Sequence, residues 1–386
     1  MSFSALGTVF LFYQGVNELK DFFHHDIFPF NVLALKKKRN AVLGIDITSV
    51  AIKLVELSKN SDGRYTLEGF AYVPFVHSDQ HTPRDSHDIT LTSQAIKQAL
   101  TLTKTSCKYA VIAVGDALVI TKYVSMPAGF NDEEIMEQLI IDAPSYIPYN
   151  VNDIIFDFEV QGPNQHNPAL TDILLVVTRK ETIAHKTAVL SSAGLIPRAI
   201  EVESFAIENA LEQLLPQQGI DASKQTIAVI DMGENFITLH IIHHLHAIYT
   251  RSQEFGGRQL THTIAQTYNL THTHAEQAKI YGSLPENYVD EILTPFKQQI
   301  VEQIQRHLQL FSASQHNHRI DRIILSGGCA AIAGIDEYIA NALNLPTTIV
   351  NPFVNMTCAS QIDSAQLQHY AHSMLTAYGL ALRHVD

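Results

Sequence analysis

The sequence predicts a mixed α/β protein with two lobes that begin alike and a smaller α+β unit inserted into the first lobe. Residues 41–46 form a short apolar run that ends in a carboxylate and a tight turn, and a second apolar strand follows at 52–57. The same succession recurs at 226–231 and 236–242, which indicates a weak internal repeat. Between the two copies, residues 108–196 combine strand patterns with capped helix starts.

Composition limits the classes of protein that fit. The chain has 386 residues, of which 46% are hydrophobic and 17% charged, so we expect two or three domains with buried cores and exclude a disordered chain. The formal net charge of −13 argues against nucleic acid as the main partner. The three cysteines are far apart and lack metal-ligand spacing, which favours a reducing, cytoplasmic setting: Cys107, Cys329 and Cys358.

Residues 1–40 form an N-terminal extension that we assign to neither lobe. Its apolar run at 5–13 is too short to cross a bilayer and lacks the preceding basic residues and the cleavage site of a signal peptide. Aromatic residues at 22–30 precede a basic cluster at 36–39. Three interpretations stay open: a mobile tail, sequence upstream of a misplaced start codon, or a short helix that binds a membrane surface or a partner.

The first lobe is predicted to occupy residues 41–107 and to resume at 197–222 as a return segment and connector. After its opening hairpin we expect a third strand at 65–74, a polar loop at 77–88, and a helix with an apolar face formed by Ile96, Ala99 and Leu100.

The inserted unit, residues 108–196, is predicted to be a compact α+β subdomain. Two capping-box spacings mark its helix starts, Asn131 with Glu134 and Thr178 with Glu181. Strands are expected at 109–114, 117–124, 154–160 and 172–177.

The second lobe is predicted to run from 223 to 386. Its helix at 297–311 has an apolar face that we interpret as core rather than as a partner surface. Four histidines crowd its second and third strands and raise the alternative of a metal site, although no carboxylate or cysteine completes one: His240, His243, His244 and His246.

Two carboxylates at strand ends are the first candidates for a functional site. Asp46 and Asp231 each precede a tight hairpin, and such a pair is what a nucleotide site between two lobes needs. Turn amides can cradle phosphate while carboxylates hold hydrated Mg²⁺. A third element, the buried strand at 323–326, runs into Gly327 and Gly328, where the backbone can approach a flat nucleoside closely.

The order of these motifs resembles the actin-like ATPase superfamily, and within it the PilM family of type IV pilus assembly. The resemblance covers residues 41–384 and rests on GIDITSVAIKLVEL at 44–57, AVIDMGENFITL at 228–239, FGGRQLT at 255–261, LSGGCAAIAGID at 325–336 and YGLALR at 378–383. It implies a two-lobed actin-like, ribonuclease H-like α/β fold with an inserted α+β subdomain in the first lobe.

The resemblance also implies a site for ATP and Mg²⁺. Asp46 and Asp231 would line the metal shell. The remaining binding residues that it implies are Thr48, Ser49, Lys53 and Gly233 near the phosphates, and Gly256, Glu276, Lys279, Gly327 and Gly328 around the ribose and adenine. For Glu276 and Lys279, an exposed ion pair on one helix face is the alternative.

Glu203 falls where actin-like ATPases place the residue that orients the attacking water, so it is the catalytic candidate. The alternative is a carboxylate that complements a helix dipole. Thr48 replaces the glycine of many relatives and Glu234 adds negative charge beside the phosphate turn, so we expect ATP binding with slow or no hydrolysis.

The function that the resemblance implies is that of a cytoplasmic ATP-binding scaffold for pilus biogenesis and twitching motility. It would be peripheral to the inner membrane and bind the N-terminal peptide of the membrane protein PilN in a groove between the first lobe and the insert. Contacts with other pilus assembly proteins and a homo-oligomer stay open. The alternatives are an FtsA-like filament protein of cell division and an actin-like ATPase with appreciable turnover. A sugar kinase is disfavoured by the position of the insert, and a membrane helix expected of FtsA or of a type II secretion scaffold is not seen before residue 386.

Overall fold

A computed structural model describes residues 41–75, 88–314 and 318–383. The expectations for the extension 1–40, for nearly all of the loop 77–88 and for the last three residues lie outside this part of the chain. The strands and helices are numbered in chain order within the described residues.

The strands are β1 (Leu43–Ile47), β2 (Ala51–Lys59), β3 (Tyr65–Pro74), β4 (Tyr109–Val114), β5 (Val119–Pro127), β6 (Ile154–Pro163), β7 (Leu170–Arg179), β8 (Ile196–Val202), β9 (Thr226–Met232), β10 (Phe236–His243), β11 (His246–Glu254), β12 (Arg322–Ser326), β13 (Thr347–Ile349) and β14 (Thr357–Cys358). The α-helices are α1 (Ile89–Thr103), α2 (Asp132–Tyr146), α3 (Lys180–Ser192), α4 (Glu203–Gln217), α5 (Gly257–Thr267), α6 (His272–Tyr281), α7 (Thr294–Ser314), α8 (Ile335–Leu343), α9 (Ser364–Tyr370) and α10 (Leu375–Ala381).

Two large sheets share one topology. The first has the order β14-β3-β2-β1-β4-β8 and the second the order β11-β10-β9-β12-β13. In each, the opening strand pairs antiparallel with the next strand and parallel with a later one, so the sheet grows in both directions from its first strand. The weak repeat in the sequence is therefore a repeat of fold, and the protein has a two-lobed actin-like architecture.

Continuous apolar runs and strand register explain the centre of the first sheet. β1 is almost wholly buried and pairs with β2 so that Asp46 lies opposite Lys53. A Cβ on Gly44 would overlap the backbone of α10, with the amide nitrogen of Ala381 and the carbonyl oxygen of Ala377 as its nearest neighbours. The helix packs directly on the strand because residue 44 has no side chain.

The insert contains its own sheet and its own core. Strands β5-β7-β6 form a three-stranded antiparallel sheet, and α2 packs on it through Ile135, Leu139 and Ala143. The predicted capping box at the start of α2 is present, since Asn131 accepts from the amides of Glu133 and Glu134 and the Glu134 carboxylate accepts from the amide of Asn131. A buried core of this size supports a distinct unit.

The edges of the insert differ from the sequence interpretation. β4 pairs parallel with β1 and β8, and thus belongs to the first large sheet. α3 packs on α1 and contributes Ile183, Val189 and Leu190 to the core of that lobe. We therefore propose domain boundaries near 116 and 179 instead of 108 and 196.

One predicted helix cap is wrong. α3 begins at Lys180, after Arg179, and the hydroxyl of Thr178 donates instead to the carbonyl of Leu118 at 2.8 Å. Thr178 is buried at the end of β7, where this bond ties the strand to the segment before β5. The hydroxyl of Thr178 therefore bonds to a residue distant in the chain and does not cap the following helix.

Within the described ranges 41–75, 88–314 and 318–383, no helix combines the length with the apolar character that a bilayer crossing needs. α7, at 21 residues, is instead amphipathic, and its buried side chains include Ile300, Ile304 and Phe311, as predicted for core packing.

We predict that Gly379→Ala destabilises the fold. A Cβ at this position would overlap the carbonyl group of Ala206 in α4, with the carbonyl carbon at 2.6 Å, so the two helices must separate. We expect a loss of about 2–3 kcal/mol in the free energy of unfolding, measured by urea denaturation. Gly328→Ala, where a Cβ meets nothing within 4 Å among the described residues, is the control. Equal stability of the two variants would contradict the packing argument.

Candidate functional site

The sequence-predicted residues meet at one edge of the two large sheets. In open sheets, ligands bind at the carboxyl ends of parallel strands. Those ends lie at the junction of the two lobes and supply Asp46 near the end of β1, Asp116 after β4, Glu203 after β8, Asp231 near the end of β9 and Gly327 after β12. We call this junction the cleft.

Asp46 and Lys53 form a buried ion pair at the floor of the cleft. The Lys53 ammonium nitrogen lies 2.9 Å from Asp46 Oδ2, and each residue is less than 10% exposed. Burial by itself would lower the pKa of Lys53, but the carboxylates of Asp46 and Asp231 outweigh it and raise the pKa above its ordinary value. Lys53 is therefore a fixed cation that faces both lobes.

Asp231 faces the same space from the second lobe. Burial raises its pKa, Lys53 opposes this shift, and Asp46 adds to it. Gly327 has a φ of +87°, and a Cβ there would overlap the Asp231 carboxylate. Only glycine fits this turn, both for its backbone conformation and for its contact with the carboxylate.

The turn between β1 and β2 is organised by Thr48. Its hydroxyl donates to the carbonyl of Ala51 at 3.0 Å and accepts from the amides of Val50 and Ala51. The amide of Thr48 itself also donates to the carbonyl of Ala51. The side chain expected to crowd the turn instead holds it together, and it engages amides that a phosphate would otherwise use.

Ser49 reaches across the cleft to the second lobe. The side-chain amide of Asn235, in the turn between β9 and β10, donates to Ser49 Oγ at 2.9 Å. The two hairpin turns of the internal repeat therefore touch. This contact places Gly233 opposite the β1–β2 turn, where its amide donates to the carbonyl of Phe236 at 2.9 Å.

Gly256 and Gly257 bring backbone close to the second turn. A Cβ on Gly256 would lie 2.5 Å from the carbonyl oxygens of both Gly233 and Glu234, and the amide of Gly257 donates to the carbonyl of Gly233 at 3.0 Å. Gly328 is different, because a Cβ there meets open space among the described residues. The close approach predicted for the glycine pair thus applies to Gly327 alone.

Glu276 and Lys279 form a hydrogen-bonded cluster with Thr261. Lys279 Nζ lies 2.7 Å from Glu276 Oε2, and the buried hydroxyl of Thr261 contacts both groups. Burial would raise the pKa of Glu276, but Lys279 and Thr261 together lower it. The pair is about four-fifths buried, so it is more than a solvent-exposed ion pair.

Glu203 is the first residue of α4 and faces the carboxylates of the cleft. Burial, Asp46, Asp116 and Asp231 raise its pKa to about 8, and Lys53 opposes them. Its neighbour Glu201 has a structural role, because it is buried against Asn209 and the guanidinium of Arg383. The two glutamates that are indistinguishable in the sequence therefore have different environments.

Sequence reasoning missed several residues of the site. Cys329 lies against the carbonyl of Gly233, Tyr72 stacks on Tyr370 beside Lys53, and Asp116 accepts from the amide of Ser204. Asn235 is within a quoted motif, yet its partner lies 186 residues away. No local pattern signals such pairs.

The histidine cluster does not gain support as a metal site. His244 lies with Leu245 in the β10–β11 turn at φ values of 51° and 67°, and thus in neither of the two strands to which the four histidines were assigned. In the described part of the chain, groups of three or more His, Cys, Asp and Glu side chains in metal-binding arrangement do not occur.

The fold is that of a two-lobed actin-like protein, and the cleft between the lobes is its candidate site. The chain belongs to the PilM family, since the family model described as type IV pilus assembly protein PilM matches residues 44–385. The family predicted from the motifs is thereby confirmed, and the chain is a type IV pilus assembly protein.

The chain is also similar to solved structures. It is 25% identical to a chain of a PilM-PilN type IV pilus biogenesis complex, with a TM-score of 0.73, and the match covers 90% of this chain and 99% of that chain. Ethanolamine utilization protein EutJ from Carboxydothermus hydrogenoformans matches at 14% identity and a TM-score of 0.49, covering 91% of each chain. MreB 5 of Spiroplasma citri bound to AMPPNP matches at 13% identity and a TM-score of 0.44, covering 89% of this chain and 95% of that chain.

We predict that Glu203→Gln gains stability relative to wild type as pH rises. The ordinary pKa of this carboxyl is 4.5 and its folded pKa is about 8, so between these values the folded state holds a proton that the unfolded state has lost. The free energy of unfolding of wild type therefore falls as pH rises through this window, and glutamine removes that slope. We expect the advantage of the variant to grow by on the order of 2 kcal/mol from pH 5 to pH 8 in urea denaturation.

The control for this measurement is Asp153→Asn, an exposed carboxylate of the insert. Its difference from wild type is expected to stay constant with pH. A parallel pH dependence of Glu203→Gln and wild type would mean that Glu203 ionises normally in the cleft.

Proposed function

We propose that this protein is an ATP-binding scaffold of type IV pilus assembly that captures the N-terminal cytoplasmic peptide of PilN. The observation that carries the proposal is the match to PilM over most of the chain, joined to the likeness to a PilM-PilN complex. Binding of PilN would place the protein at the cytoplasmic face of the inner membrane, where it could link to other assembly proteins and to copies of itself.

The charge and shape of the cleft support a nucleotide ligand. Lys53 offers a fixed ammonium group near the two hairpin turns, and Gly327 and Gly256 keep side chains out of the space beside them. Lys279 and Glu276 supply polar groups on α6 that fit a ribose or a base. Phosphate would be received by Lys53, by the hydroxyl of Ser49 and by the turn at Gly233, since Thr48 already engages most amides of its own turn.

The donor set of the cleft also fits Mg²⁺. Asp46 and Asp231 approach from opposite lobes, and their electrostatic repulsion contributes to the raised pKa of Asp231. Mg²⁺ is commonly held by one or two carboxylates together with waters and phosphate oxygens. When bound, the ion would neutralise the phosphates and these two carboxylates together.

We propose that hydrolysis is slow. Glu203 would orient the attacking water, but the hydroxyl of Thr48 already engages the amides of Val50 and Ala51, which would otherwise stabilise negative charge on the transferred phosphate. A rapid ATPase is the competing proposal. It requires phosphate release well above background in wild type that is lost in Glu203→Gln while Mg-ATP affinity is retained.

We predict that Asp231→Asn weakens Mg-ATP binding at least tenfold in titration calorimetry, because it removes a carboxylate from the proposed metal shell. Binding of the PilN peptide to the same variant should stay within twofold of wild type. Asp153→Asn is the matched control and should bind both ligands normally. Unchanged Mg-ATP affinity in Asp231→Asn would contradict the placement of the metal.

A groove on the other side of α4 is our candidate for the peptide site. It has a volume of about 550 Å³ and three walls: β5 of the insert, the first two turns of α4, and β11 of the second lobe. The sequence-based expectation named only the first lobe and the insert as walls, whereas this candidate is also lined by the second lobe. We call this space the groove.

The walls of the groove suit an extended peptide. β5 and β11 are the edge strands of their sheets among the described strands, and edge strands present backbone groups that can pair with an added strand. β11 also carries a bulge beside Ala247, whose amide donates to Glu208 Oε1 at 2.6 Å. Tyr123 of β5 is 68% exposed and faces this glutamate across the groove.

We predict that Tyr123→Ala weakens binding of the PilN N-terminal peptide by about tenfold, since large aromatic side chains dominate such contacts. Tyr109→Ala is the control, because Tyr109 is also exposed and lies at the opposite end of the first large sheet, at the start of β4. Calorimetry with both variants measures the difference. Equal affinities of the two variants would contradict binding of the peptide in the groove. Absence of peptide binding to wild type would favour a filament protein or an enzyme.

A further inference from the structure

The cleft and the groove share one wall, the first turn of α4. Glu203 faces the carboxylates of the cleft, while the next residue, Ser204, lines the groove together with Phe205 and Glu208. A shift of this turn by a fraction of an ångström would therefore change the geometry of both sites.

The position of this turn depends on Asp116. Val202, the residue before α4, has an apolar side chain that cannot cap the helix. Asp116, 88 residues away in the chain, takes that role, and its Oδ2 accepts from the amide of Ser204 at 3.2 Å. A carboxylate at a helix N-terminus is stabilising because it satisfies a free amide and complements the helix dipole.

Asp116 also belongs to the lining of the groove. With Glu208 it gives the groove two carboxylates against one arginine of the lining, Arg251, which favours a basic side chain in the ligand. Gly115, directly before Asp116, lies against Glu203, since a Cβ on it would be 3.6 Å from Glu203 Oε2. Asp116 is thus joined to Glu203 both through the helix turn and through this packing contact.

We infer that a lysine or arginine of the peptide binds Asp116 in the groove and thereby increases the affinity of the cleft for Mg-ATP. This inference rests on the proposed function of both sites. The cation neutralises a carboxylate whose field acts on the cleft and on the phosphates there. Asp116 is therefore a coupling residue, and by linkage Mg-ATP must tighten peptide binding by the same factor.

The test is a thermodynamic square measured by calorimetry. Dissociation constants of Mg-ATP are measured with and without saturating PilN N-terminal peptide, and those of the peptide with and without Mg-ATP. We expect each ligand to tighten the other at least fivefold in wild type. The same peptide with its lysines and arginines replaced by glutamine should change the affinity for Mg-ATP by a factor near one.

Asp116→Asn separates charge from helix capping, because the asparagine oxygen can still accept from the amide of Ser204. Without peptide, this variant should bind Mg-ATP more tightly than wild type does, which structural damage would not produce. Its coupling factor should fall to within twofold of one, while Asp153→Asn keeps the wild-type factor.

Five results would overturn the inference, and they are distinguishable. A coupling factor near one in wild type, when both ligands bind singly, removes the coupling and leaves the proposed function intact. The same conclusion follows if the full coupling factor persists in Asp116→Asn or with the glutamine-substituted peptide. Failure of the peptide to bind wild type removes the groove assignment. Failure of Mg-ATP to bind removes the nucleotide assignment.

Discussion

The structure depends on gathering carboxylates around the ammonium group of Lys53 where the two lobes meet. Asp46 forms the ion pair, Asp231 approaches from the other lobe, and Glu203 adds a third acid. Buried charges are tolerated only when they are paired, and Lys53 cannot neutralise three carboxylates at once. Burial and the remaining negative charge together raise the pKa of Asp231 and of Glu203. A divalent cation bound in the cleft would neutralise this charge.

The repeated sheet topology explains how these groups come together. Each lobe ends its first strand in an aspartate, and parallel pairing brings the following strand ends to the same edge. Two close contacts support this arrangement, because α10 packs on β1 at Gly44 and on α4 at Gly379. Helix α10 therefore fixes both the strand that carries Asp46 and the helix that carries Glu203.

Local signals in the sequence predicted much of this fold. The opening hairpins, the strand at 65–74 and the capping box at Asn131 follow from apolar alternation and from a spacing of three residues. Pairings between segments far apart in the chain were missed. The sequence cannot show that β4 pairs with β1 rather than within the insert, or that Thr178 finds its partner at Leu118.

The candidate site divides in the same way. Asp46, Asp231 and Gly327 are recognisable because each follows an apolar strand, and the structure brings them together. Asn235 and Asp116 escape notice because their partners lie 186 and 88 residues away. The groove is harder still, since its three walls come from the insert and from both lobes, and no single segment carries its pattern.

The central claim is that the two hairpin turns and the glycine turn after β12 act as one site. Hydrogen–deuterium exchange with and without Mg-ATP tests this most directly, because it reports each backbone amide without any substitution. We expect slower exchange in residues 46–51, 231–236 and 327–331 together, over one range of nucleotide concentration. Slower exchange in one lobe alone, or in none of these segments, would contradict a site shared between the lobes.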